Sequence, residues 1–176
     1  MVEGGEEVNR GACLPLVLAS TSPYRRMLMD RLGLRYEQIA PCCDEVALRD
    51  SFEGDPVELA ALLARRKARS VLEQRPEHCI VASDQLLCFQ GEIFAKPGSR
   101  EAAAGQLKLL QGGSHELITA LCLMFTGGRY VEESVTHRMR MRSLAEDEIL
   151  RYVDADEAWD CAGAYKVECL GISLFE

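Results

Sequence analysis

Near its start the chain runs an apolar tetrapeptide, Leu16 to Ala19, straight into Ser20, Thr21, Ser22, Pro23, Tyr24, Arg25 and Arg26. No other stretch narrows the possible folds as much. The apolar run is short enough for a buried strand. The hydroxyls supply caps for free helix amides, and proline is tolerated in a first helical turn because its missing N–H would have no intrahelical partner there. The pattern therefore predicts a strand, a tight polar loop and a helix that opens on Pro23. Such a junction points backbone N–H groups, the positive end of a helix dipole and guanidinium forks at one place, which suits a phosphate. Arginine in a first turn opposes the dipole, which suggests an anionic partner. The plainer reading is a strand-to-helix turn with solvated arginines.

The 176 residues fit one domain and can bury a sizeable core. A net charge of −8 argues against nucleic-acid binding by the surface as a whole, so a phosphate ligand must sit in a local basic pocket. No apolar run approaches membrane-spanning length, and the N-terminus shows no charged segment followed by an apolar one; the expectation is a cytoplasmic protein. None of the eight cysteines forms a C-x-x-C pair, and Cys79, Cys88 and Cys122 lie in apolar strand-like runs, so they read as reduced small hydrophobes. His78, His115 and His137 are scattered and read as structural rather than metal-binding.

Residues 1 to 15, glycine-rich and acidic without a period, read as a disordered extension, leaving 16 to 176 as the folded domain. Leu34 to Ala40 predicts a second strand, and Pro41 to Glu45 a loop whose adjacent Asp44 and Glu45 are either solvated acids or, for Glu45, a ligand to a divalent cation. Asp55 and Pro56 open a long helix to about Glu73. Lys67, four residues after Leu63, falls on its core-facing stripe. In Cys79 to Phe89 an apolar strand is interrupted by Ser83, Asp84 and Gln85. A buried acid is costly unless it is paired, hydrogen-bonded or on a metal, so Asp84 is the best candidate for chemistry. Lys96 is held extended before Pro97. A helix capped by Ser99 runs to Leu110, strands cover Ser114 to Phe125 and Tyr130 to Arg142, and Ser143 with Glu146 suggests a capping box for a helix ending near Val153. Residues 154 to 160 read as an acidic loop, and Leu170 to Phe175 as a last strand.

Seven segments together resemble the Maf family of nucleotide pyrophosphatases: LVLASTSPYRRMLMDRLGL at 16 to 34, CDE at 43 to 45, RRKA at 65 to 68, ASDQ at 82 to 85, AKP at 95 to 97, LLQGGSHELITALCL at 109 to 123 and CAGAYKVECLG at 161 to 171. Their order and spacing match the family from Leu16 onward, closest to its 7-methyl-GTP branch. The resemblance implies an α/β fold like that of inosine triphosphate pyrophosphatases: a mixed twisted sheet with flanking helices, and two lobes around a central cleft. It also implies a homodimer, and hydrolysis of a nucleoside triphosphate between its α and β phosphates with a divalent metal cation, Mg²⁺ or Mn²⁺. Ser22 and Arg25 fall on the family's phosphate-binding positions and Lys67 and Lys96 on its basic cleft positions, all four expected to bind phosphate. Glu45 and Asp84 fall on its carboxylate positions, which assigns Asp84 to positioning or deprotonating the attacking water and to the metal, and Glu45 to the metal.

Base selectivity is implied at Tyr24, Gln85 and Glu168, where the pyrimidine-selective branch carries arginine, threonine and glutamine. Tyr24 offers a π-face to the cationic ring of 7-methylguanine, and Glu168 an acceptor for its N1 and N2 donors. The 7-methyl-GTP branch usually has tryptophan where Tyr24 stands. Two other readings fit the resemblance: a nucleotide-binding, septum-related regulator without turnover, and a pyrimidine triphosphate pyrophosphatase acting on dTTP or UTP. Family members continue past the segment at Leu170 to Phe175 with a glycine-rich turn, a loop and a helix, whereas this sequence stops at Glu176.

Overall fold

A computed structural model describes residues 14–176. The extension expected over residues 1 to 15 lies outside the described residues as far as position 13. Pro15 is already tied to the sheet, its carbonyl accepting the Cys79 amide at 2.9 Å. In chain order the elements are β1 (Leu16–Ala19), α1 (Pro23–Arg31), β2 (Tyr36–Ile39), α2 (Glu45–Asp50), α3 (Pro56–Leu72), β3 (Cys79–Phe89), β4 (Glu92–Phe94), α4 (Arg100–Leu110), β5 (Ser114–Met124), β6 (Tyr130–Arg140) and α5 (Glu146–Asp156). The opening strand–loop–helix forms as expected, with Ser22 as N-cap and Pro23 in the first turn of α1.

The six strands make one mixed sheet in the order β2-β1-β3-β5-β6, with β4 folded back on β3. β1 lies parallel to β2 and to β3, while β3–β5 and β5–β6 are antiparallel. Because β1 has only four residues, it covers β3 at Cys79 to Val81, and β4 resumes the pairing at Leu87. Between them, residues 82 to 86 of β3 pair with β5 alone.

Alternation along β3 sends successive side chains to opposite faces of the sheet. Ile80, Ala82, Leu86 and Cys88 join Ile118, Ala120 and Cys122 of β5 under α3, whose Leu59, Leu63 and Val71 are buried there. On the other face Leu87 packs with Leu107 and Leu110 of α4, and Ile149 and Val153 of α5. Burying each such large apolar side chain contributes about 1.5–3 kcal/mol. The sheet separates the two cores. Asp84 sits in the α3-facing row and Gln85 in the opposite one, both beyond the end of β1.

Four expectations change. Ser83 to Gln85 do not interrupt a strand, since β3 runs continuously across them. Glu45, expected in a loop, opens α2, with Asp44 Oδ1 capping the Ala47 amide at 3.0 Å. The box expected at Ser143 and Glu146 does not form: the N-cap is Ala145, whose methyl cannot accept, Glu148 accepts the Ala145 amide at 2.9 Å, and the helix continues to Asp156. Leu170 to Phe175 is not a strand; Leu170–Leu174 forms a 3-10 turn, and only Phe175 bridges to Met141. Here the chain folds tightly back on Lys166, whose carbonyl accepts the amides of Cys169 and Gly171. A Cβ at Gly171 would lie 2.4 Å from that carbonyl oxygen, so only glycine permits the approach.

Candidate active site

The loop after β1 builds one wall of the site. Ser20 is buried, its Oγ accepts the Ser22 amide at 3.1 Å, and its carbonyl accepts from Gln38 Nε2 at 2.8 Å, which pins the loop to β2. Arg25 leaves the first turn of α1 with Nη1 3.5 Å from Ser20 Oγ. Burial lowers the pKa of Arg25, while Asp84 and Glu45 oppose that shift. Arg26 points elsewhere and pairs with Asp30 on the surface.

On the α3 side of the sheet, Lys67 and Asp84 are 4% and 2% exposed. Lys67 Nζ donates to Asp84 Oδ1 at 2.6 Å and stands 2.9 Å from Glu45 Oε2. Arg49, one turn along α2, comes within 3.6 Å of the same Glu45 oxygen. Asp84 Oδ2 is buried with no hydrogen-bond partner. An acceptor left in that condition normally costs 1–3 kcal/mol or more, roughly, so its retention points to a function.

These groups line a cavity of about 310 Å³ together with Ser22, Lys96 and Asp160. Its charged lining is Arg25, Arg49, Lys67 and Lys96 against Glu45, Asp84 and Asp160, a cationic excess in a chain of net charge −8. A second cavity of about 350 Å³ adjoins it, and the two share Ser22, Tyr24, Arg25, Gln85, Lys96 and Asp160. The second is walled by Met27, Leu28, Leu117, Tyr165 and Val167, with Glu168 also on its lining. One compartment is ionic and the other largely apolar, and they meet beside the end of β1.

In the apolar compartment Gln85 Nε2 donates to Thr119 Oγ1 at 3.0 Å, across the β3–β5 pair. Tyr24 Oη donates to Asp160 Oδ1 at 3.1 Å, and Lys166 Nζ lies over its ring, 5.4 Å from the centroid. Burial, with the Cys161 thiol and the Asp160 carboxylate nearby, raises the Tyr24 pKa above its ordinary value. Cys161 is itself pushed up to about 11, mainly by burial. Behind this wall His115 Nε2 bonds Tyr165 Oη at 2.9 Å, fixing the ring that faces the cavity.

All of the sequence-predicted residues, Ser22, Tyr24, Arg25, Glu45, Lys67, Asp84, Gln85, Lys96 and Glu168, line one or both compartments. Sequence reasoning missed Asp160, Arg49 and Lys166. Asp160 is one of several acids in residues 154 to 160, and nothing in the pattern distinguishes it. Arg49 carries a usable signal only once α2 is known, because it stands one turn from Glu45.

The carboxylates of Glu45 and Asp84 are hard oxygen donors of the type that Mg²⁺ or Mn²⁺ prefers. No group of three or more His, Cys, Asp or Glu suited to a metal occurs among the described residues. The donor set thus fits an ion that completes its shell with phosphate oxygens and water. No helix among the described residues is long and apolar enough to cross a membrane.

Residues 15–176 match the family described as Maf-like protein. A 7-methyl-GTP pyrophosphatase from Aromatoleum aromaticum is 42% identical over 92% of this chain and 82% of its own length. A nucleoside triphosphate pyrophosphatase from Rhodopseudomonas palustris is 39% identical, again over 92% of this chain and 82% of its own. Among solved structures, a nucleoside-triphosphatase / dITP/XTP pyrophosphatase from Mycobacterium abscessus aligns over 74% of this chain and 76% of its own, with a TM-score of 0.49 and 17% identity.

Proposed function

The chain belongs to the Maf family, and on that premise we propose that it hydrolyses a nucleoside triphosphate between the α and β phosphates, with 7-methyl-GTP as the preferred substrate. Water attacks phosphorus, the bond to the bridging oxygen breaks, and the products are the monophosphate and pyrophosphate. The observation that carries this reading is the buried Asp84 carboxylate. One oxygen is locked on Lys67 and the other lies without a partner in a cationic compartment beside an apolar one. Held in this way, Asp84 orients and deprotonates the attacking water through Oδ2. Ser22, Arg25, Lys67 and Lys96 receive the triphosphate and the charge that spreads over its oxygens. Glu45 and Asp84 would hold Mg²⁺ or Mn²⁺, which when bound neutralises phosphate charge and orients the reacting groups.

The apolar compartment takes the base. Asp160 holds the Tyr24 hydroxyl, and Lys166 lies over one ring face, which leaves the other for stacking. Gln85 and Glu168 supply edge contacts, and the Glu168 carboxylate suits the N1 and N2 donors of guanine. A homodimer and a cytoplasmic location belong to the same proposal. The first is tested by the mass of the purified chain in solution; the free thiols among the described residues support the second.

The test is pyrophosphate release from 7-methyl-GTP, GTP, UTP, dTTP and CTP with Mg²⁺ or Mn²⁺, comparing the native chain with Asp84→Asn. Fastest turnover of 7-methyl-GTP, lost in the variant, is expected. Turnover that survives Asp84→Asn would remove the assigned role of Asp84, and no turnover of any triphosphate would overturn the reading.

A further inference from the structure

Lys67 bridges the two carboxylates proposed as ligands of a divalent cation. Its ammonium is 2.6 Å from Asp84 Oδ1 and 2.9 Å from Glu45 Oε2, on a side chain only 6% exposed. Arg49 reaches the same Glu45 oxygen at 3.6 Å. No third acid among the described residues joins the two carboxylates into a larger metal-binding group. An entering ion therefore meets two carboxylates that each have one oxygen already engaged by a buried cation, in a compartment whose lining is net cationic. Like charges a few ångströms apart in a partly dry site repel strongly. A triphosphate reverses this balance. Its oxygens give the ammonium new acceptors, free the carboxylates and add ligands for the metal.

We propose that Lys67, besides receiving the triphosphate, competes with the divalent ion for Asp84 and Glu45, so that metal binds tightly only together with a triphosphate. This rests on the reading that the cleft takes a nucleoside triphosphate. It assigns to one side chain the order of assembly: the true substrate is the metal–triphosphate complex, and free metal is a poor ligand.

The test is Mn²⁺ binding to the full chain by calorimetry and by the electron paramagnetic resonance of free Mn²⁺. It is run without nucleotide and with guanosine 5′-(α,β-methylene)triphosphate, whose own Mn²⁺ affinity is measured separately. The native chain should bind Mn²⁺ weakly alone and at least about tenfold more tightly with the analogue, since removing a nearby unit charge is worth that much in a partly buried site. Lys67→Met, without nucleotide, should gain about tenfold or more, and Lys67→Arg, which keeps the charge, should not. Native Mn²⁺ affinity that is the same with and without the analogue would overturn the proposal, and so would Lys67→Arg behaving as Lys67→Met. If Lys67→Met does not fold, Lys67→Gln, which also removes the charge but keeps a polar head, takes its place and should show the same gain. Pyrophosphate release by the native chain separates the two claims. Turnover with nucleotide-independent Mn²⁺ affinity refutes the role of Lys67 alone. A gain in Mn²⁺ affinity in Lys67→Met but not in Lys67→Arg, with no turnover by the native chain, refutes the hydrolase reading and leaves Lys67 in its role.

Discussion

Replacing Lys67 by methionine and Asp84 by leucine, singly and together, separates what the pair does for chemistry from what it does for the fold. Both side chains are nearly fully buried between α3 and β3, in rows that otherwise hold Leu63, Ala64, Ala82 and Leu86. Removing one member of a buried ion pair costs about 3–5 kcal/mol, because the other charge is left uncompensated. Lys67→Met takes away the only hydrogen-bond partner of the Asp84 carboxylate among the described residues, so the whole range applies. Asp84→Leu leaves the ammonium with Glu45 at 2.9 Å, so its cost falls near the lower end, about 3 kcal/mol. In the double variant no buried charge remains, and two apolar side chains of similar size fill the seam. Stability should return to within about 1 kcal/mol of the native chain, or exceed it. At roughly 2–4 °C per kcal/mol for a chain of this length, Lys67→Met should melt about 6–20 °C lower and the double variant within a few degrees of native. Urea unfolding of all four proteins gives the cycle, and triphosphate hydrolysis should be absent from every variant. A double variant as unstable as the weaker single one would refute the argument, since the pair would then be holding α3 on the sheet.

Three further outcomes follow from the structure. His115 is 2% exposed and burial pushes its pKa down to about 4 from 6.5, so the unfolded chain binds the proton more readily; stability should be full above pH 6.5 and fall as pH drops toward 4, and His115→Phe should flatten a melting profile taken across that window. Gly163 has a φ of +80°, and a Cβ there would lie 2.4 Å from Leu87 Cδ1; Gly163→Ala should cost about 2–4 kcal/mol by urea unfolding, through strain and overpacking together. Glu168→Gln should reduce the kcat/KM preference for 7-methyl-GTP over UTP about tenfold, a loss near 1.4 kcal/mol, and an unchanged ratio would remove Glu168 from base selection.

The residues legible in the sequence were those that violate a local rule. Lys67 occupies a position where the helical period demands an apolar side chain, and Asp84 does the same in a buried strand, so each announced itself without any tertiary information. The strand–loop–helix opening was legible because its hydroxyl, proline and apolar residues all favour one conformation. What was missed depended on tertiary context. The six residues of α2 have no buried stripe to mark them, and Asp44 as a cap looks like any loop acid. The segment at Leu170–Leu174 has strand-like composition, but its backbone is bound to Lys166 rather than to a strand. Asp160 gained its place only because α5 ends at Asp156 and the following turn brings it to Tyr24.

The short β1 leaves residues 82 to 86 of β3 bonded on one side only, and both Asp84 and Gln85 lie in that window. A ribbon seamed along one margin opens more readily than one stitched along both, so local breathing should concentrate there. A bound nucleotide would bridge the window between its two compartments and act as a missing rung. Hydrogen exchange of amides 83 to 86 should then slow on binding more than that of the β5 amides opposite, and the chain would be stiffest when it is at work.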